Sequence, residues 1–363
     1  MDKLRQQIDE IDKQITSLFE QRMDVVKGVI DYKIKNKLPI LNSSREAAVI
    51  EKNAGYLKNK EYTPYLKEFY QGLMDVSKRM QANIANLSDA IGFQGEKGSF
   101  SHEATLKFLS DKNCPVEKAN CEIKNYPTFD SLMNALLNDD VKYIVIPFEN
   151  TSTGAVTDVY DLLTQYDFYI NGEVLVHVNH NLLVKEGVKL ADIKEIYSHP
   201  QAFMQSKEFL KNIPARQIPY YNTAIAAKFV SESDRTDIAA IASEQAAAYY
   251  GLKVMEHNIN YNNNNITKFI VLSKTPCKNE NANKVSAIIS IQHKAGSLAA
   301  IINLFAQNNV NLTKIESRPD LSNPFEYIFF IDFEGNMEND KIKAMVEKLK
   351  ESCAKFKYLG NYI

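Results

Sequence analysis

The chain has 363 residues, 45% of them hydrophobic and 24% charged, and a formal net charge of −2. That balance implies a globular protein of two or three domains and excludes both a disordered chain and a strongly basic nucleic-acid-binding surface. The four cysteines, Cys114, Cys121, Cys277 and Cys353, are too scattered for a disulfide framework or a metal-ligand pattern. With neither an apolar leader nor a membrane-length apolar run in the sequence, the expectation is a cytoplasmic protein with no membrane or nucleic-acid partner, no cofactor and no metal.

The first predicted element is an amphipathic helix. Leu4, Ile8, Ile11, Ile15 and Leu18 recur at helical spacing, and the seam continues through Arg22, Val25, Val29 and Lys33. A buried unpaired cation costs several kcal/mol, on the order of what its relaxed desolvation demands. Arg22 and Lys33 therefore need a carboxylate partner, a route to the surface along their aliphatic stems, or a ligand. Lys37, Leu38 and Pro39 end the helix, and Ser43 with Glu46 forms a capping box that opens a second one with Arg45 in its first turn. A third opens at Thr63 and Pro64, and its seam reads Leu66, Phe69, Tyr70, Leu73, Ser77, Gln81 and Ile84. Three such helices make a bundle whose interior holds cations, hydrogen-bond donors and one carboxylate, which suits a small dicarboxylate.

This stretch, about residues 1 to 88, resembles the all-helical chorismate mutases. The resemblance implies that Arg5 reaches across a dimer, and that Arg22, Lys33, Arg45, Glu46, Ser77 and Gln81 form the catalytic pocket. Asn42 stands three residues before the Arg-Glu pair, where several members carry an aspartate that contacts the substrate hydroxyl. The reaction so implied is a unimolecular rearrangement that requires no nucleophile. Holding the reactive conformer and stabilising charge on the ether oxygen are sufficient.

From Ala90 the period changes to short apolar runs, such as Tyr143 to Ile146, Val174 to Val178, Ile238 to Ala242 and Phe269 to Leu272, alternating with helical stretches. This is the pattern of an α/β domain. Polar loops at Gly95 to His102 and Pro147 to Gly154 feed helix amino termini, where a carboxylate would be welcome. Neither carries a dinucleotide fingerprint or a Walker lysine, so a nucleotide is not expected. The second loop continues to Leu163 in a string that resembles the prephenate dehydratases. So do Val178 to Val184, Ser198-His199-Pro200-Gln201, Thr223-Ala224, Ala239 to Gly251 and Ile266 to Phe269, covering about residues 90 to 274.

That family has two α/β lobes around a cleft, like periplasmic binding proteins, so the chain is expected to cross between lobes near residue 170 and return near Thr267. Thr267 matches the essential threonine and is assigned to hydrogen bonding the ring hydroxyl of prephenate. Lys268 replaces the family's arginine, which keeps the charge and loses the bidentate fork. Glu149 is the candidate proton source. Asn150, Thr151, Ser152, Ser198, Gln201 and Thr223 are expected to donate to the side-chain carboxylate and keto group, and His199 to orient its loop.

A polar linker from Lys274 to Lys284 leads into strand, helix, strand, strand, helix, strand, predicting a four-stranded sheet with two helices on one face. This part resembles the ACT domain. Gly296-Ser297-Leu298 and Glu316-Ser317-Arg318-Pro319 are similar to the phenylalanine-binding motifs of dehydratases, with Ser297 where alanine is usual. The expectation is a multidomain chain: an all-α mutase bundle at 1–88, a two-lobed α/β dehydratase domain at 90–274 and a ferredoxin-like α+β domain at 284–363. It is expected to convert chorismate to prephenate and prephenate to phenylpyruvate under phenylalanine inhibition, as a homo-oligomer, at least a dimer. The alternative is a monofunctional dehydratase whose bundle only dimerises.

Overall fold

A computed structural model describes residues 1–35, 43–84, 90–111, 121–262, 264–292, 294–320 and 326–363. The chain divides into two compact units, Met1–Asp89 and Ala90–Ile363.

The first unit holds α1 (Asp2–Lys35), α2 (Ser43–Gly55) and α3 (Thr63–Ile84), and α3 packs against both others. Thr63 opens α3 as expected, its hydroxyl donating to the Lys60 carbonyl at 2.7 Å. The apolar stripe of α1 is another matter. Leu4, Ile8, Ile11, Ile15, Leu18, Val25 and Val29 are all exposed, and the buried residues Met23 and Ile30 lie off the stripe. The expected burial of the stripe against other helices is corrected: its apolar residues lie bare.

In the second unit the chain lays down β1 (Ile91–Gln94), α4 (Phe100–Ser110), β2 (Ile123–Tyr126), α5 (Phe129–Leu137), β3 (Tyr143–Asn150), β4 (Gly154–Ala155), α6 (Thr157–Gln165) and β5 (Tyr169–His177). It then builds β6 (Asn181–Val184), β7 (Glu195–Ser198), α7 (Pro200–Gln205), α8 (Lys207–Leu210), β8 (Arg216–Pro219), α9 (Thr223–Glu232), β9 (Ile238–Ala242), α10 (Glu244–Tyr250) and β10 (Lys253–Glu256), and returns as β11 (Ile266–Ser273). One sheet has the order β2-β1-β3-β11-β5 with β4 beside β3, and the other β10-β6-β9-β7-β8. The crossing comes after His177 rather than near residue 170, because β5 stays paired with β11 along its length, Ile266 opposite His177 and Ser273 opposite Tyr169. Apolar side chains cover both faces of each sheet, as strands such as Ile238–Ala242, buried throughout, require.

The two lobes meet at the loop after β1. Ser243 caps α10 and donates to the Gly98 carbonyl at 2.9 Å, and the Tyr250 hydroxyl donates to the Lys97 carbonyl at 2.8 Å. Gly98 has φ +85°, and a Cβ there would stand 3.0 Å from the Ala246 Cα. Only glycine fits both demands.

The last module comprises β12 (Lys284–Ser290), α11 (Ser297–Gln307), β13 (Leu312–Pro319), β14 (Tyr327–Glu334), α12 (Asp340–Ser352) and β15 (Lys355–Tyr362), with sheet order β13-β14-β12-β15. Alternation sorts its side chains. Val285, Ala287, Ile289, Ile331 and Phe333 pack under the helices, as the expected arrangement requires. Ile288, Ile328, Phe330, Leu359 and Tyr362 face the other way and join the core of the first α/β lobe beside Tyr160 and Phe168.

Candidate active sites

In the helical unit the seam cation is held by α3. Arg22 donates through one nitrogen to the Ser77 hydroxyl and through another to the Met74 sulfur at 3.4 Å. Ser77 is buried and donates in turn to the Leu73 carbonyl at 2.7 Å, so its oxygen is aimed at the guanidinium. Among the described residues Arg22 forms no ion pair, and burial pulls its pKa down, with Tyr70 opposing. An open groove of about 1250 Å³ runs past it, lined by Ile15, Phe19, Asn53, Tyr65, Phe69 and Met74 among others. Arg5 is exposed near the start of α1, 3.8 Å from Asp2. Asn42 and the side chains of Lys33, Arg45, Glu46 and Gln81 lie outside the described residues.

The cleft between the two α/β lobes is built by strand ends and helix starts. A cavity of about 260 Å³ is lined by Asn150 at the end of β3, Thr267 on β11, Gln201 on α7 and Thr223 on α9, together with Phe100, Thr153, Val178, His180, His199, Gln205 and Asn222. Asn222 caps α9, accepting from Ile225 N at 2.7 Å, so that helix directs its amino terminus at the cavity. Asn150 donates to the Thr267 hydroxyl oxygen at 2.9 Å. That bond occupies one of the two lone pairs of the Thr267 oxygen and leaves its hydroxyl proton available to a ligand. Four expected residues, Asn150, Gln201, Thr223 and Thr267, meet here.

The others do not. Glu149 and Lys268 are register partners across β3 and β11 and point to the sheet face opposite Asn150 and Thr267. There Glu149 lies 2.7 Å from Lys314 of β13 and 3.5 Å from Lys268. Burial alone would raise its pKa, but the hydrogen bond and charge of Lys314, with Lys268 adding, hold it below the ordinary value. The expectation of Glu149 as proton source and Lys268 as substrate ligand is thus corrected by strand alternation. Ser198 is fully buried and spends its hydroxyl on the Ile241 carbonyl at 2.6 Å. Thr151 is exposed, donating to the Asn264 carbonyl at 2.8 Å and accepting from Ile266 N at 3.0 Å, and Ser152 is exposed beside it.

In the last module Gly296, Ser297 and Leu298 line a cavity of about 510 Å³ with Gln292, Glu326 and Phe329. Glu316 and Arg318 alternate onto the opposite sheet face, toward the first α/β lobe, where Arg318 meets both oxygens of Asp161 at 3.0 Å. Ser317 and Pro319 face away from it. The two expected effector motifs therefore do not converge within one chain.

A cleft between two α/β lobes followed by a docked βαββαβ sheet defines a dehydratase with an ACT module, here preceded by a helical mutase unit. Family models agree in order: chorismate mutase type II matches residues 4–82, prephenate dehydratase 91–277 and the ACT domain 285–351. The bifunctional chorismate mutase/prephenate dehydratase of Buchnera aphidicola from Schizaphis graminum is 32% identical over 99% of this chain and 95% of that relative. The Escherichia coli K12 counterpart is 29% identical over 99% and 95%. The crystal structure of a prephenate dehydratase from Arthrobacter aurescens in complex with L-Phe superposes with a TM-score of 0.66 at 27% identity, covering 75% of this chain and 89% of that one. The chain belongs to the bifunctional chorismate mutase/prephenate dehydratase family. No helix among the described residues is long and apolar enough to cross a membrane.

Proposed function

We propose that this enzyme rearranges chorismate to prephenate in the helical unit and converts prephenate to phenylpyruvate in the two-lobed cleft. The domains are assigned to residues 1–88, 90–274 and 284–363. For the first reaction, Arg22 supplies a cation already stripped of part of its water and held by Ser77, ready for a carboxylate or the developing ether oxyanion. Lys33, Arg45, Glu46 and Gln81, with Asn42 toward the substrate hydroxyl, complete the pocket, and Arg5 enters from a second copy. The bare stripe of Leu4, Ile8 and Ile11 supports that second copy, since apolar surface of this regularity seeks cover. The homo-oligomer is at least a dimer.

For the second reaction, the observation that carries the reading is the Asn150–Thr267 hydrogen bond inside the cleft. It holds the Thr267 hydroxyl in the cleft with its proton available to donate, which is what a departing ring hydroxyl needs as carbon dioxide is lost. The amino terminus of α9, with Thr223 and Gln201 beside it, receives the side-chain carboxylate. Phenylalanine binds at the Gly296–Leu298 loop and lowers dehydratase turnover by favouring a less active state.

The test is to incubate chorismate with the purified protein and follow prephenate and phenylpyruvate separately, with and without phenylalanine and tyrosine. Sequential appearance of both products, with only the second suppressed by phenylalanine through the last module, is expected. Chorismate left intact while added prephenate is consumed would refute the mutase assignment.

A further inference from the structure

Four amide and imidazole side chains, three of them lining the dehydratase cleft and the fourth, Asn265, buried among them, form a directed chain. The Asn150 side-chain oxygen accepts from the backbone N–H groups of Ser152 at 2.8 Å and Thr153 at 3.1 Å. Backbone nitrogens can only donate, so this fixes which end of the Asn150 amide is which. Its nitrogen then donates to the Asn265 oxygen at 2.7 Å. The Asn265 nitrogen is left to donate to the Gln205 oxygen at 3.2 Å. That same oxygen lies 2.7 Å from His180 Nε2, which must therefore carry the proton.

The consequence is at the far side of the ring. His180 is buried, its backbone pinned by Asn260 at 3.0 Å, and its Nδ1 has no hydrogen-bond partner among the described residues although the side chain lines the cavity. A buried lone pair without a donor is costly and marks a place where a ligand completes the bonding. Burial, with the neighbouring His199 adding, keeps the imidazole below its ordinary pKa despite the opposing Gln205 bond, so it remains neutral near pH 7.

We infer that Asn265 and Gln205 are positioning residues that hold His180 as the Nε2–H tautomer, and that its Nδ1 accepts a hydrogen bond from the substrate's ring hydroxyl. The inference rests on reading this cleft as the prephenate site. At neutral pH prephenate is a dianion with two carboxylates and a ketone, and its hydroxyl is its one donor. A bare Nδ1 repels the carboxylates and matches that hydroxyl. Thr267 donates to the hydroxyl oxygen, and His180 accepts its proton as a hydrogen bond. The pair selects a substrate that still carries the hydroxyl. Because the bond to Nδ1 does not strengthen as hydroxide departs, it acts on binding rather than on the chemical step.

The test is ¹⁵N NMR of the full-length protein labelled at histidine nitrogens, with the His180 signal assigned by His180→Phe. The expected spectrum at neutral pH is a protonated Nε2 and a bare Nδ1. In Asn265→Asp the new carboxylate can only accept, so Gln205 must turn its NH₂ toward both neighbours and the His180 proton moves to Nδ1. A purely structural Asn265 would not move that proton. Kinetically, His180→Phe keeps the ring volume and should raise KM for prephenate about tenfold while changing kcat less, as the loss of one hydrogen bond predicts. An Nδ1–H or imidazolium signal in the unmodified protein, an unchanged tautomer in Asn265→Asp, or an unchanged KM in His180→Phe would each overturn the inference. A protein that turns over no prephenate would instead sink the reading of the cleft, leaving the tautomer to be judged by the spectrum.

Discussion

Glu149 and Asn150 are neighbours in sequence and face different parts of the molecule. Asn150 holds Thr267 in the cleft, while Glu149 meets Lys268 of its own sheet and Lys314 of the ACT module. Glu149→Gln should therefore leave kcat for prephenate within about threefold and its pH profile unmoved, where loss of a true acid costs on the order of 100-fold or more. The ion cluster has its own pH signature. Its lysines hold the Glu149 pKa below the unfolded value, so the stabilisation is complete above the unfolded pKa and fades as pH falls through the folded one. Thermal unfolding from neutral pH down through about pH 4.3, the ordinary glutamate value, should show an acid-side loss that shrinks in Glu149→Gln. Arg22 gives the opposite kind of prediction. Its guanidinium meets a hydroxyl and a thioether, so Arg22→Met should fold normally by circular dichroism and lower mutase turnover about 100-fold or more. Unfolding of the helices in that variant would show the cation to be structural.

At the scale of elements, much was legible. The 3.6-residue and 2-residue periods placed the helices and strands of all three modules, and β12, α11, β13, β14, α12 and β15 appear in the expected order. Which residues share a site was less legible. Thr267 and Lys268 form one motif in sequence, yet alternation sends them to opposite faces. His180, Gln205 and Asn265 lie 25 to 85 residues apart and meet only through the sheet crossing, so no local pattern announces them. The signal that was available is polar residues in otherwise buried runs. The helical period of the α1 stripe was plain in the sequence, yet its apolar residues are exposed in the structure. Ile11→Asp on that bare face should shift the protein toward monomer in light scattering and lower mutase turnover, since Arg5 would no longer reach a partner's pocket. Dehydratase turnover should persist, because the residues that line that cleft belong to the second unit of the chain. A variant retaining its oligomeric mass would remove α1 from the subunit interface.

Across the whole of the second unit, the ACT sheet is fastened to the catalytic lobe rather than tethered to it. Ile288, Phe330, Leu359 and Tyr362 share a core with Tyr160, and Tyr160 stacks on Phe148 at 4.4 Å between ring centres. Gly360 lies so close to Ile170 that a Cβ there would overlap the Ile170 carbonyl. Among the described residues four ion pairs cross the seam: Lys314 with Glu149, Arg318 with Asp161, Lys284 with Glu173 at 2.6 Å, and Lys357 with Asp167 at 2.9 Å. Two of these come from β13, the strand that carries the second expected effector motif, and one lands on β3, whose last residue holds Thr267. A ligand that shifts β13 thus has a short mechanical route to the cleft, provided it favours one arrangement over the other. Asp161→Asn keeps the size of the side chain and removes the charge that meets Arg318. It leaves the cleft untouched, so kcat and KM without effector should change little. The phenylalanine concentration for half inhibition should rise about fivefold, the low end of typical coupling energies. Calorimetry separates the causes: phenylalanine affinity falling while saturating inhibition stays complete places Arg318 in the route from effector to cleft. An unaltered titration would mean that the coupling runs through the shared apolar core instead.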